Sequence, residues 1–521
     1  MWVKSNENLR GLLERRAAEY DEKPFLFSSA DGRKWTYAEF NKAANRAAQM
    51  LAANGVKKGD VVSFLLPNSA EYVVAYFACF KLGAIANPVN SLLKAEEISF
   101  ILANSEAKTL LVDTQFRTTI KEACAALPHL KIVVEFDDEM KATADFSSEN
   151  PPPVSLEASD EAIIIYTSGT TGQPKGCVLT HGNLIANARQ IVRWLGFTAD
   201  DRLLTVMPLF HMNAVSVTTM TALLAGASTV VSPKFSASKF WQIIEDYRIT
   251  SFGSVATMLS MLLTNAECGM RNAELKNESR KSAPHSALRI PHSLRFAMCG
   301  SAPVPAKVLR RFEETFGCLV VEGYGLSEST CRSTFNPPSD ARRPGSCGKP
   351  IGNEMKIFDE NDKELKDGEL GEIVLRGENI FKGYFKNDAA TRKAFANGWF
   401  HTGDIGYRDA DGFFYIADRK SDMIIRGGEN IYPREIDELL YTHPAIESAA
   451  VIGIPDHLYG EAVAAFVVLK SGETASEEEI IDFCKQHLAD YKCPQTVRFV
   501  ENIPKGATGK LLKRELKISA R

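Results

Sequence analysis

Ile163-Ile164-Ile165-Tyr166 runs directly into Thr167-Ser168-Gly169-Thr170-Thr171-Gly172-Gln173-Pro174-Lys175-Gly176. A short apolar run closed by turn residues reads as a buried strand, and the ten residues after it read as a loop rich in hydroxyls and glycine. Glycines let the main chain approach an anion, hydroxyls and free N–H groups bind phosphate oxygens, and a lysine adds charge, so the loop has the makings of a phosphate cradle. It is not a Walker A loop. That pattern requires G-x-x-x-x-G-K-[ST], whereas Lys175 follows proline and precedes glycine. The competing reading of the same composition is a polar surface loop.

Runs of the same kind surround it. Val61-Val62-Ser63-Phe64-Leu65-Leu66 and the segments 109–112, 162–166, 229–231 and 319–322 alternate with helical periodicity such as that of 37–53. This alternation argues an α/β fold whose runs are buried strands of a mostly parallel sheet. From 372 to 415 glycine becomes dense, as in Gly377, Gly383, Gly398, Gly403, Gly406 and Gly412, which predicts a small β-rich subdomain. After Arg419 the pattern resets: helix-like 436–441, strand-like 449–452 and 462–469, helix-like 476–489. That segment reads as a separate unit of about 100 residues. The polar stretch 265–291, with Lys276, Arg280 and Lys281, is expected to be a mobile surface loop.

The chain has 521 residues, too many for one core. Its composition, 45% hydrophobic and 24% charged, excludes a disordered or fibrous protein. Lys and Arg number 61 against 65 Asp and Glu, so no global basic field exists for nucleic acid or an anionic membrane. The start Met1-Trp2-Val3-Lys4-Ser5-Asn6-Glu7 has no apolar leader, and no apolar run approaches the roughly 18 residues of a membrane span. Ten cysteines without a C-x-x-C pair or metal-ligand spacing read as reduced, mostly buried thiols. The expected location is the cytoplasm.

The hydroxyl-rich string resembles the signature of the adenylate-forming superfamily of acyl-CoA synthetases, peptide-synthetase adenylation domains and luciferases. The superfamily's later motifs come in order: Gly300-Ser301-Ala302-Pro303, Glu322-Gly323-Tyr324-Gly325-Leu326-Ser327-Glu328, His401-Thr402-Gly403-Asp404, Asp418-Arg419-Lys420-Ser421-Asp422, Gly427-Gly428-Glu429-Asn430 and Pro504-Lys505-Gly506-Ala507-Thr508-Gly509-Lys510. The resemblance implies a large N-terminal domain (1–420) of layered α/β subdomains plus a β-rich subdomain. A small mobile α+β C-terminal domain (421–521) would come after it, pivoting at Ser421, where most relatives carry Asp or Lys.

The resemblance also implies roles. Thr167, Ser168, Gly169, Thr170, Thr171 and Lys175 would hold ATP phosphates, and Glu328 with Thr170 would meet Mg²⁺. Gly300, Ser301, Ala302, Glu322, Gly323, Tyr324 and Ser327 would contact the nucleotide, with Tyr324 offering a face for adenine. Asp404 and Arg419 would grip the ribose, their other reading being a plain salt bridge. Lys510 would be the catalytic lysine of adenylation, and Gly427, Gly428 and Glu429 would line the path of the CoA pantetheine. Phe210, Ser254, Val255 and Gly325 would line the acyl pocket and His211 would gate it.

The reading is an acid:CoA ligase using ATP, Mg²⁺ and CoA, acting on a fatty, aryl or other largely apolar acid. A homodimer is compatible with it. The segment before Tyr324 lacks the arginine that malonate-type ligases use, which speaks against a dicarboxylate there. Arg332 is expected at the surface, its other reading being a partner for a charged tail. Phe235-Ser236-Ala237-Ser238-Lys239-Phe240-Trp241 and Arg426-Gly427-Gly428-Glu429-Asn430 look like the carnitine and crotonobetaine ligases, and also like fatty-acyl and aryl ligases. The alternatives are an adenylation enzyme loading a carrier protein, and a catalytically silent binding protein. The first lacks an acidic residue for an α-amine between Phe210 and Val217, and the second should have lost Lys510 or Glu328.

Overall fold

The computed structural model describes residues 7–123, 127, 130–137, 140–151, 153–167, 174–275, 293–300, 304, 306–427, 429–505 and 511–519. Apolar runs form strands where the sequence places them, but in two seven-stranded sheets rather than one. One sheet runs, edge to edge, through Leu319–Glu322, Phe296–Cys299, Ser251–Ser254, Arg202–Thr205, Ser228–Val231 and Pro24–Ser28, all parallel, to an antiparallel Lys34–Thr36. The other holds Val61–Leu65, Ile85–Pro88, Thr109–Val112, Ile132–Glu135 and Glu161–Thr167 in parallel, with Lys175–Thr180 and Gly383–Tyr384 antiparallel at one edge.

The helix Tyr37–Ala53 starts on a capping box in which Thr36 and Glu39 satisfy each other's main-chain N–H groups. Helix Ala70–Leu82 is buried on every face and touches strands of both sheets, so the main core lies between them. Such a position calls for an apolar surface all round, and the helix departs from it only at Glu71 and Lys81, which are paired with Arg33 and Glu14. The expected loop at 265–291 is in part wrong. Helix Ala256–Leu275 continues through 265–275, because Ala, Glu, Met and Leu favour helix over the polar punctuation, while 276–292 lies outside the described residues.

The glycine-dense segment forms the expected β-rich unit: Glu354–Phe358, Gly371–Arg376 and Trp399–Arg408 in antiparallel order, flanked by Phe395–Ala396 and Phe414–Arg419. Residues after 421 build a separate sheet from Ile424–Arg426, Glu429–Ile431, Ile446–Asp456, Gly460–Leu469 and Thr496–Phe499, with helices Pro433–Leu440 and Glu477–Lys485. This sheet has its own core of Ile424, Ile436, Leu440, Val451, Val463 and Ala465. Lys513 closes a largely buried ion pair with Asp437 at 2.8 Å. Arg434 ties it to the preceding strand, donating its main-chain N–H to Asp418 Oδ2 at 2.8 Å and its guanidinium to the Ile416 carbonyl.

Cys79, Cys177, Cys299, Cys318, Cys331, Cys484 and Cys493 are buried free thiols and Cys347 is a half-buried one, as expected. No described helix is long and apolar enough to cross a membrane.

Candidate active site

The hydroxyl-rich loop joins two strands that pair antiparallel, with Thr167 opposite Lys175. These two residues therefore flank the loop mouth, while Ser168, Gly169, Thr170 and Thr171 lie outside the described residues. Lys175 holds its ammonium 5.3 Å from the centre of the Tyr384 ring, a cation–π contact. The Tyr384 hydroxyl donates to Glu328 Oε1 at 3.0 Å. Tyr384 is brought here by the edge strand Gly383–Tyr384, which pairs with Lys175–Thr180. Nothing in its surrounding sequence announces this role.

Glu328 sits in the short 3₁₀ turn Ser327–Ser329 and is 9% exposed. Burial holds its carboxyl above the usual range, opposed by its own main-chain N–H, Tyr384 and the charge of Arg419. Arg419 leads to the second half of the site. It faces Asp404 from the neighbouring strand in direct register, with Nε 2.9 Å from Oδ1. The Tyr324 hydroxyl donates to Asp404 Oδ2 at 2.6 Å. Asp404 raises the Arg419 guanidinium, and burial raises the Tyr324 phenol. A carboxylate has about four acceptor sites, so Asp404 with two contacts can still accept two sugar hydroxyls.

Glycine is required at 325. A Cβ there would fall inside the Cys331 carbonyl oxygen and 2.8 Å from the Arg332 Cα. The turn carrying Glu328 is thus folded back onto residues 331–332. Gly325→Ala is expected to destabilise the protein by about 1–3 kcal/mol and to weaken ATP binding with it; an unchanged melting temperature and ATP affinity would mean that the turn can open.

Glu322 ends the strand Leu319–Glu322, accepts the Gly345 N–H at 3.1 Å and is pushed up to about 7, chiefly by burial. Arg342 and Arg434 pull its pKa down and Glu313 raises it. Because the folded-state value exceeds the ordinary 4.5, the protonated form favours folding: that stability is complete below 4.5 and is lost as pH rises through about 7. Glu322→Gln keeps an acceptor for Gly345 without the charge. Its melting temperature relative to wild type is expected to climb between about pH 5 and pH 8; a flat difference would remove burial as the cause.

Gly300 directly follows the strand Phe296–Cys299, and the position of a Cβ on it lies 2.6 Å from the Gly323 carbonyl, so these two motif segments touch through main chain. Ser301 and Ala302 lie outside the described residues. Ser254 spends its hydroxyl on the Met298 carbonyl at 3.0 Å, and Val255 and Phe210 are buried. The Phe210 and His211 rings are 4.6 Å apart. His211 is pushed down to about 4 by burial, so its imidazole is neutral near pH 7, and its Nε2 is enclosed without a partner among the described residues.

Gly427 and Glu429 belong to the C-terminal sheet rather than to this cluster; Gly427 takes a φ of +61° at the turn between two strands, and Glu429 is exposed. Gly428 and Lys510 lie outside the described residues. Ser421 is exposed, its hydroxyl 3.3 Å from Asp422 Oδ1.

Arg332 overturns its sequence reading. It is 1% exposed, packed against Gly300 and Phe335, because the missing side chains of Gly300 and Gly325 leave room for it inside.

The AMP-binding enzyme profile matches residues 13–385, and the AMP-binding enzyme C-terminal domain matches 435–510. The sulfoacetate–CoA ligase of Cupriavidus necator is 35% identical, covering 98% of this chain and 97% of its own length. A crotonobetaine/carnitine–CoA ligase of Escherichia coli is also 35% identical, over 99% of this chain and 100% of its own. The o-succinylbenzoate coenzyme A synthetase of Bacillus subtilis, solved with ATP and magnesium, superposes with a TM-score of 0.85 at 34% identity, covering 98% and 100% of the two chains. With both family profiles matching in order and full-length relatives that are CoA ligases, the chain belongs to the AMP-binding enzymes, as an acid:CoA ligase of the adenylate-forming superfamily.

Proposed function

We propose that the side chains gathered at the 167–175 hairpin carry out the first half of an AMP-forming acid:CoA ligation. The carboxylate of the acid attacks the α-phosphorus of MgATP, pyrophosphate leaves, and an acyl-adenylate remains. CoA then takes the acyl group as a thioester, releasing AMP. The observation that carries this reading is the pair of side-chain chains Lys175–Tyr384–Glu328 and Tyr324–Asp404–Arg419, the charge of Arg419 acting on Glu328 without a direct bond between them.

Each group then has one task. Lys175 and the loop after Thr167 hold phosphate oxygens, and Glu328 gives an oxygen to the Mg²⁺ that ATP brings. A single buried carboxylate suits an ion that arrives already held by phosphate oxygens. Asp404 accepts from the ribose hydroxyls while Arg419 fixes it, and Gly300, Glu322, Gly323 and Tyr324 border the nucleotide. Lys510, with Ser168, Gly169, Thr170, Thr171, Ser301 and Ala302, completes the site by family resemblance. Positioning and charge neutralisation, not a covalent nucleophile, supply the rate. His211 stays uncharged and gates the acyl pocket of Phe210, Ser254, Val255 and Gly325.

The division at 420/421 follows the separate C-terminal core, with Ser421 as pivot and Gly427, Gly428 and Glu429 on the thiol's path. Buried free cysteines fit a reducing cytoplasm, and the balanced charge fits a small-molecule enzyme without a nucleic-acid partner. A homodimer remains compatible.

The test incubates the purified protein with MgATP, CoA and a panel of fatty, aryl, betaine and dicarboxylic acids, reading AMP and acyl-CoA by mass spectrometry. Thioester from one acid class establishes the ligase. Acyl-AMP without thioester replaces it with a carrier-protein loader, and no product across the panel leaves a silent binding protein.

A further inference from the structure

The strands Ser251–Ser254 and Phe296–Cys299 pair in parallel, with Gly253 opposite Met298. Side chains alternate faces along a strand, so Gly253, Met298 and Gly300 share one face. At both glycines the place of a Cβ is taken by a polar head from the layer above. Asn213 Oδ1 lies 2.6 Å from that point on Gly253; Arg332 Nη2 and Cζ lie 2.7 and 2.8 Å from it on Gly300. Strand spacing and rise put the two glycines about 8 Å apart.

Both heads are held from behind. Asn213 opens the π-helical segment Asn213–Met220. Asn187 donates to the Arg332 carbonyl at 2.6 Å, while its Oδ1 accepts Ser216 Oγ at 3.0 Å and the Arg332 N–H at 3.3 Å. One side chain thus locks the main chain of Arg332 to the π-helical segment.

Their hydrogen bonds do not close. Arg332 is 1% and Asn213 4% exposed. Among the described residues, Arg332 Nε and Nη2 and both amide atoms of Asn213 have no partner, and Nη1 reaches only the Cys331 carbonyl at 3.4 Å. No described carboxylate comes within ion-pair distance of Arg332, and the Phe335 ring centre is 5.5 Å away. A buried, unpaired guanidinium is costly, and its planar fork matches the oxygens of a carboxylate or sulfonate. Asn213 follows Phe210 and His211 closely in sequence, and Arg332 packs on Gly300, which also touches the Gly323 carbonyl.

We propose that Arg332 is a specificity residue of the acyl site, receiving through Nε and Nη2 a second oxyanion, carboxylate or sulfonate, carried by the acid away from its reacting carboxylate, with Asn213 Nδ2 donating beside it. The proposal rests on the ligase reading and revises the expected apolar acyl group into one with an anionic end.

The test compares AMP release by wild type, Arg332→Met and Arg332→Lys on charged acids and near-isosteric neutral ones: succinate against succinamate, 3-sulfopropionate against pentanoate, with malonate and glutarate to vary spacing. Wild type should favour the charged member by about 100-fold in kcat/KM. Arg332→Met should lose that preference through the KM of the acid, leaving the KM of MgATP and the rate on neutral acids within about fivefold, and Arg332→Lys should recover part of it. Whether succinate or 3-sulfopropionate leads decides between carboxylate and sulfonate. A wild type that favours neutral acids, or an Arg332→Met variant that keeps the charged preference, overturns the proposal. A second readout is independent of turnover: with AMP present, succinate or 3-sulfopropionate should raise the melting temperature of wild type and not of Arg332→Met. If no acid gives product, the ligase reading falls, and this shift alone still decides whether Arg332 binds an anion.

Discussion

Glu328→Gln is expected to lower the rate of acyl-adenylate formation by about 10²–10³-fold, the loss typical of removing one preorganised charge-stabilising group. The substitution keeps size and an oxygen that can accept the Tyr384 hydroxyl, which now lies 3.0 Å away. What disappears is a negative charge in a nearly closed site, 9% exposed. Burial already raises this carboxyl, so removing the charge relieves the fold, while in the proposed role it deprives Mg²⁺ of an anionic oxygen. The melting temperature should therefore hold or rise as activity falls. Single-turnover formation of acyl-AMP across a magnesium titration is the measurement. Wild-type rates in the variant would reduce Glu328 to a packing residue.

Asp404→Asn should act on binding instead. The aspartate accepts Tyr324 at 2.6 Å and Arg419 at 2.9 Å, and it is 4% exposed. The amide keeps one acceptor oxygen but replaces the other with a donor that faces a donor. Losing charge-assisted bonds worth about 1.5–3 kcal/mol predicts an ATP dissociation constant raised about 10- to 100-fold. Arg419 is partly exposed, so water softens the effect on stability. Tyr324→Phe separates positioning from contact: it deletes only the hydroxyl and should cost about fivefold in ATP affinity. Calorimetric titration with ATP decides, and equal losses in the two variants would mean that Asp404 acts only by ordering Tyr324.

The motifs and the helix Tyr37–Ala53 were legible because they are local: residue type and spacing carry them. Which strands are neighbours was not, since Val61–Leu65 and Ser228–Val231 are alike in apolar character yet belong to different sheets. That assignment depends on contacts between distant residues. Arg332 failed for a related reason. Flanked by Cys331 and Ser333, it looks like any charged residue, and charged residues are mostly exposed. Its burial depends on Gly300 and Gly325, whose absent side chains are informative only once the chain has folded onto them. Tyr384 likewise acquires its role by strand pairing alone.

The π-helical segment Asn213–Met220 carries one consequence for how this site can change over generations. Its wide winding accommodates an extra residue per turn, held by Thr219 and Thr221 hydroxyls donating five residues back to Ala214 and Ser216. Loss of a single codon there would relax the segment to an ordinary helix and swing the residues ahead of the deletion by about 100°. Asn213 would leave its place against Gly253 without any substitution among the motif residues. With Asn213 in the proposed role beside Arg332, a lineage could trade one acid for another by an in-frame deletion, a shorter route than a series of point mutations.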